Sequence, residues 1–136
     1  KMYNKEKLLG KKANAGFFKY LPKNKKIVNE KVTKYFNKAP ISLAKQKILE
    51  RCIFIMINEA AKCLEEKIID NPKYLDMAMI MGTGFPAFRG GLLKYADNYG
   101  INEIVTRLKE FEKSYGCRFS PANLLLKMAK ENKSFY

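Results

Sequence analysis

The chain contains no histidine, which removes the usual general base, the Ser-His and Cys-His nucleophile pairs and every imidazole metal ligand. Chemistry would fall to Asp, Glu, Lys, Tyr or Cys. The three cysteines, Cys52, Cys63 and Cys117, are odd in number and lack CxxC spacing, so they assemble no zinc set and fit a reducing compartment. Cys52 and Cys63 stand about three helical turns apart and are expected as small core residues rather than nucleophiles. Asn58-Glu59 is a polar pair inside the apolar run CIFIMINEAA. Burying Glu59 would cost several kcal/mol without a partner. It is either a catalytic carboxylate or, more simply, a structural anchor reaching a glycine-rich loop or helix N-terminus, partnered by Arg51 or Arg89. Tyr95-Ala96-Asp97 offers a general acid in principle; Asp97 bonded to a backbone amide or a lysine is the plainer account.

The most unusual local feature is the stretch GTGFPAFRGG at residues 82–91, with Phe85, Phe88 and Arg89 set between glycines. It passes formally as G-x-G-x-x-A. A dinucleotide cradle needs a strand before the glycines and a helix starting inside them. Here a helical pattern comes first, and Pro86 lacks an amide donor. The expectation is a tight corner between two helices plugged by aromatic side chains.

Positioning these residues requires a packed core, and a 47% apolar content with 12% aromatics supports one, in a length that suits a single domain. No apolar run reaches the roughly 18 residues that would span a bilayer. The net charge of +14 is concentrated: residues 1–47 carry 14 Lys and Arg against Glu6 and Glu30 alone. Such a segment could meet nucleic acid, an anionic surface or a phosphorylated ligand. A solvated lysine-rich arm is the simpler reading, since none of the arginines lies within it.

Residues 1–25 read as a tail or linker, punctuated by Gly10, Gly16 and Pro22 and carrying the aromatic patch Phe17, Phe18, Tyr20. A weak amphipathic helix is expected over residues 27–36. The longest helix is expected from Ser42, its N-cap, to about Lys67, with Ile48, Cys52, Ile55, Met56, Glu59, Ala60 and Cys63 along its stripe. Asn71-Pro72 starts another, carrying Tyr74, Leu75, Ala78 and Met79 and ended by Gly82 and Gly84. A short helix from Leu92 closes at Gly100. Asn102 caps the next, with Ile104, Val105, Leu108 and Phe111 inward as far as Gly116. Ser120-Pro121 opens the last, with Leu124, Leu125 and Met128 inward. No period-2 strand stands out, so the class is all-α, with about five helices in residues 26–136.

Taken together, these segments resemble the C-terminal helical repeat of the 3-hydroxyacyl-CoA dehydrogenase family. The likeness runs through Arg51, Asn58-Glu59-Ala60, Leu64-Glu65-Glu66, Asp76, the 82–91 loop, Tyr95-Ala96-Asp97, Gly100, Gly116-Cys117-Arg118-Phe119-Ser120-Pro121 and Phe135-Tyr136. The tail, Gly10-Lys11-Lys12 to Gly16-Phe17-Phe18-Lys19-Tyr20, is similar to the family's segment that ends the preceding helical repeat.

The resemblance implies a compact all-α fold like the 6-phosphogluconate dehydrogenase C-terminal domain, inside a parent that oxidises (3S)-hydroxyacyl-CoA with NAD and is multifunctional with enoyl-CoA hydratase. The parent's Rossmann domain would supply the NAD site and the catalytic histidine. Where the family's first repeat carries an asparagine before its arginine, this sequence has Glu50, which marks a second, non-catalytic repeat. No catalytic, cofactor-binding or metal residue is therefore expected here, and Asn58, Glu59, Phe85, Phe88 and Arg89 are expected to serve structure or interface. The implied partners are the preceding helical repeat and the Rossmann domain of the same parent chain, with acyl-CoA as the parent's substrate, no nucleic acid and no membrane span. The implied location is the bacterial cytoplasm, with peroxisome and mitochondrion as alternatives. The competing reading is a stand-alone basic helical module that binds nucleic acid or an anionic surface.

Overall fold

The computed structural model describes residues 2–35 and 43–136, which fall into two compact units dividing between Ser42 and Leu43. The first is small and contains a β-hairpin. Strand β1 (Phe18–Tyr20) pairs antiparallel with β2 (Lys26–Val28), with Lys19 opposite Ile27. Lys23 and Asn24 both take left-handed backbone at the turn, a geometry that matches the twist of the strands it joins. After β2, Asn29 is almost fully buried; its side chain accepts from Lys31 N to cap the short helix α1 (Glu30–Thr33) and donates to Gly16 O at 2.9 Å.

This unit corrects two expectations. Ile27 and Val28 belong to a strand, not to a helix over 27–36, and a boundary between residues 25 and 26 would cut the pairing of β1 with β2. Three-residue strands are too short to show a period-2 pattern.

The second unit is helical: α2 (Lys45–Glu65), α3 (Pro72–Thr83), α4 (Leu92–Tyr99), α5 (Ile101–Tyr115) and α6 (Asn123–Glu131). Five helices were expected in the main body. The core forms where Phe54, Ile57 and Ala61 of α2 meet Leu92, Leu93 and Ala96 of α4, Ile104 and Leu108 of α5, and Leu125 of α6, all nearly inaccessible. The spacing on α5, with Ile101, Ile104, Val105, Leu108 and Phe111 all buried, is that of one helix face. Asn71 caps α3, its side chain accepting from Lys73 N, and Pro72 occupies the first turn. Gly84 in left-handed conformation closes α3.

Several boundaries differ from the sequence reading. Ser42 and Phe36 lie outside the described residues, and α2 begins at Lys45. Gly100 rather than Asn102 stands at the start of α5, and the Asn102 side chain donates to Asn132 instead. Helix α6 starts after Ala122, two residues beyond Ser120, whose hydroxyl donates to Glu112.

The larger correction concerns α2. The stripe expected to be buried includes Ile48, at 48% exposure, and the exposed Cys52 and Glu59, while Ile55, Met56 and Cys63 are half-buried. The face in the core carries Glu50, Phe54, Ile57, Asn58, Ala60 and Ala61. Both faces are apolar, and periodicity alone does not tell which one a domain covers. Among the described residues no helix is long and apolar enough to cross a membrane.

Because Leu108 is fully buried where α5 meets α2 and α6, Leu108→Ala is expected to lower stability by about 2–5 kcal/mol in urea unfolding. A loss under about 1 kcal/mol would contradict this core assignment.

Candidate functional site

The buried polar side chains show what the helices are built to hold. Asn58, at zero exposure on α2, donates from Nδ2 to Ser120 O at 2.9 Å and accepts at Oδ1 from Ala122 N at 2.8 Å. It satisfies the backbone just before α6 and fixes that helix against α2. Glu59, its sequence neighbour, points outward and pairs with Lys62 at 2.7 Å, not with Arg51 or Arg89. Only the asparagine of the pair is an anchor. A helix turns about 100° per residue, so one of two adjacent polar groups can face the core while the other meets water.

The 82–91 loop forms an aromatic-plugged corner. Phe85 is buried and meets Tyr95 edge to face, with centroids 6.3 Å apart. Phe88 is 84% exposed, and the Arg89 guanidinium lies 5.4 Å from the Phe88 centroid and 5.8 Å from that of Tyr95. Of the five residues expected to matter, Phe85, Phe88 and Arg89 share this corner. Asn58 and Glu59 act elsewhere.

Sequence reasoning placed Asp76 only within a motif, yet it is the hub of the next junction. Its carboxylate, 3% exposed, accepts from Leu93 N at 2.6 Å and Lys94 N at 3.1 Å, capping α4. Tyr136 donates its hydroxyl to Oδ2 of the same group at 2.8 Å. Asp97 accepts from the amides of Phe135 and Tyr136, the backbone role expected of it. Gly91 makes the Asp76 contact feasible. Its φ is +115°, and a Cβ there would sit 2.6 Å from Asp76 Oδ2. The signal in the sequence was an aspartate in an apolar helix followed by a double glycine.

Asp76 also decides the dinucleotide question. The amides at the start of α4 that would meet a pyrophosphate are occupied by this carboxylate, α3 rather than a strand precedes the loop, and Pro86 has no N–H. The loop does not fit a dinucleotide. Among the described residues no three His, Cys, Asp or Glu side chains are grouped as metal ligands.

Glu50 is buried and accepts from Gln46 Nε2 at 2.9 Å and from the Tyr99 hydroxyl at 3.2 Å, with Arg107 Nε 3.9 Å away. It ties α2 to α4 and α5. Burial raises the Tyr99 phenol above its ordinary range, with the Glu50 carboxylate adding to the effect.

One open feature is apolar. A groove of about 520 Å³ between α2 and α3 is lined by Ile55, Met56, Cys63, Ile69, Ala78 and Met79, among others. Outside the groove's lining, Tyr74, Met77 and Met81 stand 70%, 61% and 79% exposed along α3, with Ile68 nearby in sequence at 66%.

The Asp76 junction yields two expected outcomes. Gly91→Ala should cost more than about 2 kcal/mol in thermal or urea unfolding, while Gly82→Ala, with open space and ordinary backbone, should be neutral or stabilising by up to about 1 kcal/mol. Similar effects at both positions would contradict the account. The Tyr136 phenol is pushed up to about 12 by burial of its hydroxyl end, then by its bond to Asp76 and the charges of Asp76 and Asp97. The folded state thus holds this proton more tightly than the unfolded chain does. The contribution is complete below pH 10, the ordinary value, and is lost as pH rises through about 12. Tyr136→Phe should flatten the fall in stability across that window. An unchanged alkaline slope would contradict the assignment.

Residues 48–134 match the family model described as the 3-hydroxyacyl-CoA dehydrogenase C-terminal domain. The fatty acid oxidation complex subunit alpha of Vibrio campbellii is 41% identical over 128 residues, and that of Shewanella amazonensis is 42% identical over 130. Each alignment takes in 93% of this chain but 18% of the relative, so the chain spans under a fifth of the length of these curated relatives. The match covers α2 through α6 except for the first turn of α2, the same helices that the Asn58, Asp76 and Glu50 contacts tie together, and the chain belongs to the 3-hydroxyacyl-CoA dehydrogenase C-terminal domain family.

Proposed function

We propose that this chain serves as the second, non-catalytic helical repeat of a larger NAD-dependent (3S)-hydroxyacyl-CoA dehydrogenase of fatty-acid β-oxidation. It packs against the preceding helical repeat of the same parent to complete an intramolecular pseudo-dimer, and so positions the Rossmann domain over the acyl-CoA cleft. The residues before the hairpin's end belong, in this reading, to the close of that preceding repeat. NAD and acyl-CoA are bound by other parts of the parent, which also carries enoyl-CoA hydratase activity and works in the bacterial cytoplasm.

The observation that carries the reading is the open apolar face of α2 and α3. The tightly buried polar residues of this unit, Asn58, Asp76 and Glu50, are all engaged in holding helices, while methionine, isoleucine and tyrosine side chains are left to solvent. Covering such a face yields about 25 cal/mol for each Å² of apolar area removed from water. The family match and the 18% coverage of the relatives supply the rest of a chain for it to dock on.

The test uses substitutions that the isolated unit should not notice. Met77→Glu with Met81→Glu is expected to change the stability of the 136-residue chain by no more than about 0.5 kcal/mol per site. In the full-length parent the same pair would place unpaired charges in an interface, and dehydrogenase activity should fall at least about tenfold. Full activity of the doubly substituted parent, or turnover of 3-hydroxybutyryl-CoA by the 136-residue chain alone, would overturn the proposal.

A further inference from the structure

N-terminal to the apolar groove along α2, and sharing Ile55 with it, a second depression is flanked by two arginines. Arg51 projects from the early turns of α2 with its guanidinium carbon 3.9 Å from the Tyr115 ring centroid. Arg118, in the turn Cys117–Phe119, lies 5.2 Å from the Phe119 centroid. Tyr115 and Phe119 are themselves 6.0 Å apart, and Phe111 packs against both. One aromatic cluster therefore supports both guanidinium groups and restricts their orientations before any ligand arrives.

Neither arginine has a carboxylate partner among the described residues, and the remaining positions, residue 1 and 36–42, contain no Asp or Glu. Arg51 Nε is buried and has no hydrogen-bond partner among the described residues. A guanidinium with no carboxylate partner keeps charge and donors that an incoming carboxylate can satisfy. The depression has a volume of about 430 Å³; besides the two arginines it is lined by Leu43, Ile48, Cys52, Ile55 and Phe119, with no acidic residue.

The geometry points to a binding site for a medium-chain aliphatic carboxylate. Its two oxygens accept from Arg51 and Arg118, and its alkyl chain lies along Leu43, Ile48 and Ile55. A planar carboxylate matches the guanidinium fork. The apolar wall demands a hydrocarbon tail, which inorganic phosphate and acetate lack. The volume falls in the range of small-ligand sites, roughly 300–1,000 Å³. This inference concerns residues and a ligand that the 136-residue chain can be tested with directly.

Cys52 lines the depression and is exposed, while Cys117 is exposed but outside the lining. The rates of maleimide labelling at the two thiols, read by peptide mass spectrometry, provide a site-specific assay with an internal reference. Octanoate is expected to slow labelling of Cys52 relative to Cys117. Octanol and acetate at the same concentration should not. Arg118→Gln, in an exposed turn, should raise the octanoate concentration needed for half-protection about tenfold, and Arg51→Gln should do the same. If loss of the Tyr115 stack unfolds the Arg51 variant, the Arg118 variant decides. The inference is overturned by equal protection from octanol or acetate, by protection unchanged in Arg118→Gln, by an absence of protection, or by protection only from the acidic dipeptide acetyl-Glu-Leu-amide, which would assign the depression to protein docking.

Discussion

Helix α2 carries apolar side chains around its circumference, and the other four helices of its unit cover only one side of it. Phe54, Ile57 and Ala61 are consumed by the domain's own core. Ile55 and Met56 pack against that core half-buried, and 48% and 49% of Ile48 and Leu49 remain in water. Helix α3 carries the same imbalance: Leu75 and Asp76 face inward, and Tyr74, Met77 and Met81 face out. The apolar groove lies between these two helices, lined from α3 by Leu75, Ala78 and Met79.

Against that unsatisfied face stand polar contacts that leave little freedom in the helical arrangement. Asn58 fixes the entry to α6, Asp76 fixes the start of α4 against α3, and Glu50 ties α2 to α4 and α5. Each replaces water by protein partners, and each would leave buried donors or acceptors behind if its side chain were removed. The same carboxylate that stabilises α4 also occupies the one helix start that the glycine loop could have offered to a phosphate.

Legibility in the sequence followed how local each signal was. The Asn71-Pro72 start, the Gly100 stop and the inward face of α5 depend on neighbouring residues, and the structure has them as expected. The hairpin was not visible, because three-residue strands carry no periodicity and the turn Pro22-Lys23-Asn24 has no glycine to signal its left-handed backbone. The buried face of α2 was misassigned because both faces are apolar. Glu59 was judged with Asn58 as a pair, whereas a single step along a helix separates the core from solvent. Asp76 required three-dimensional information, since the amides it caps are 17 and 18 residues away. The family likeness, by contrast, rests on local motifs spread along the chain and was readable from them.

The account turns on the claim that the open α2–α3 face is covered in the intact parent. Hydroxyl-radical footprinting of Met56, Met77 and Met81, in the 136-residue chain and in the full-length protein, reads that burial side chain by side chain. The account predicts that Met77 and Met81 oxidise readily in the chain and are protected in the full-length protein, with Leu126 at the surface of α6 serving as a reference. Equal oxidation of Met77 and Met81 in both would contradict it.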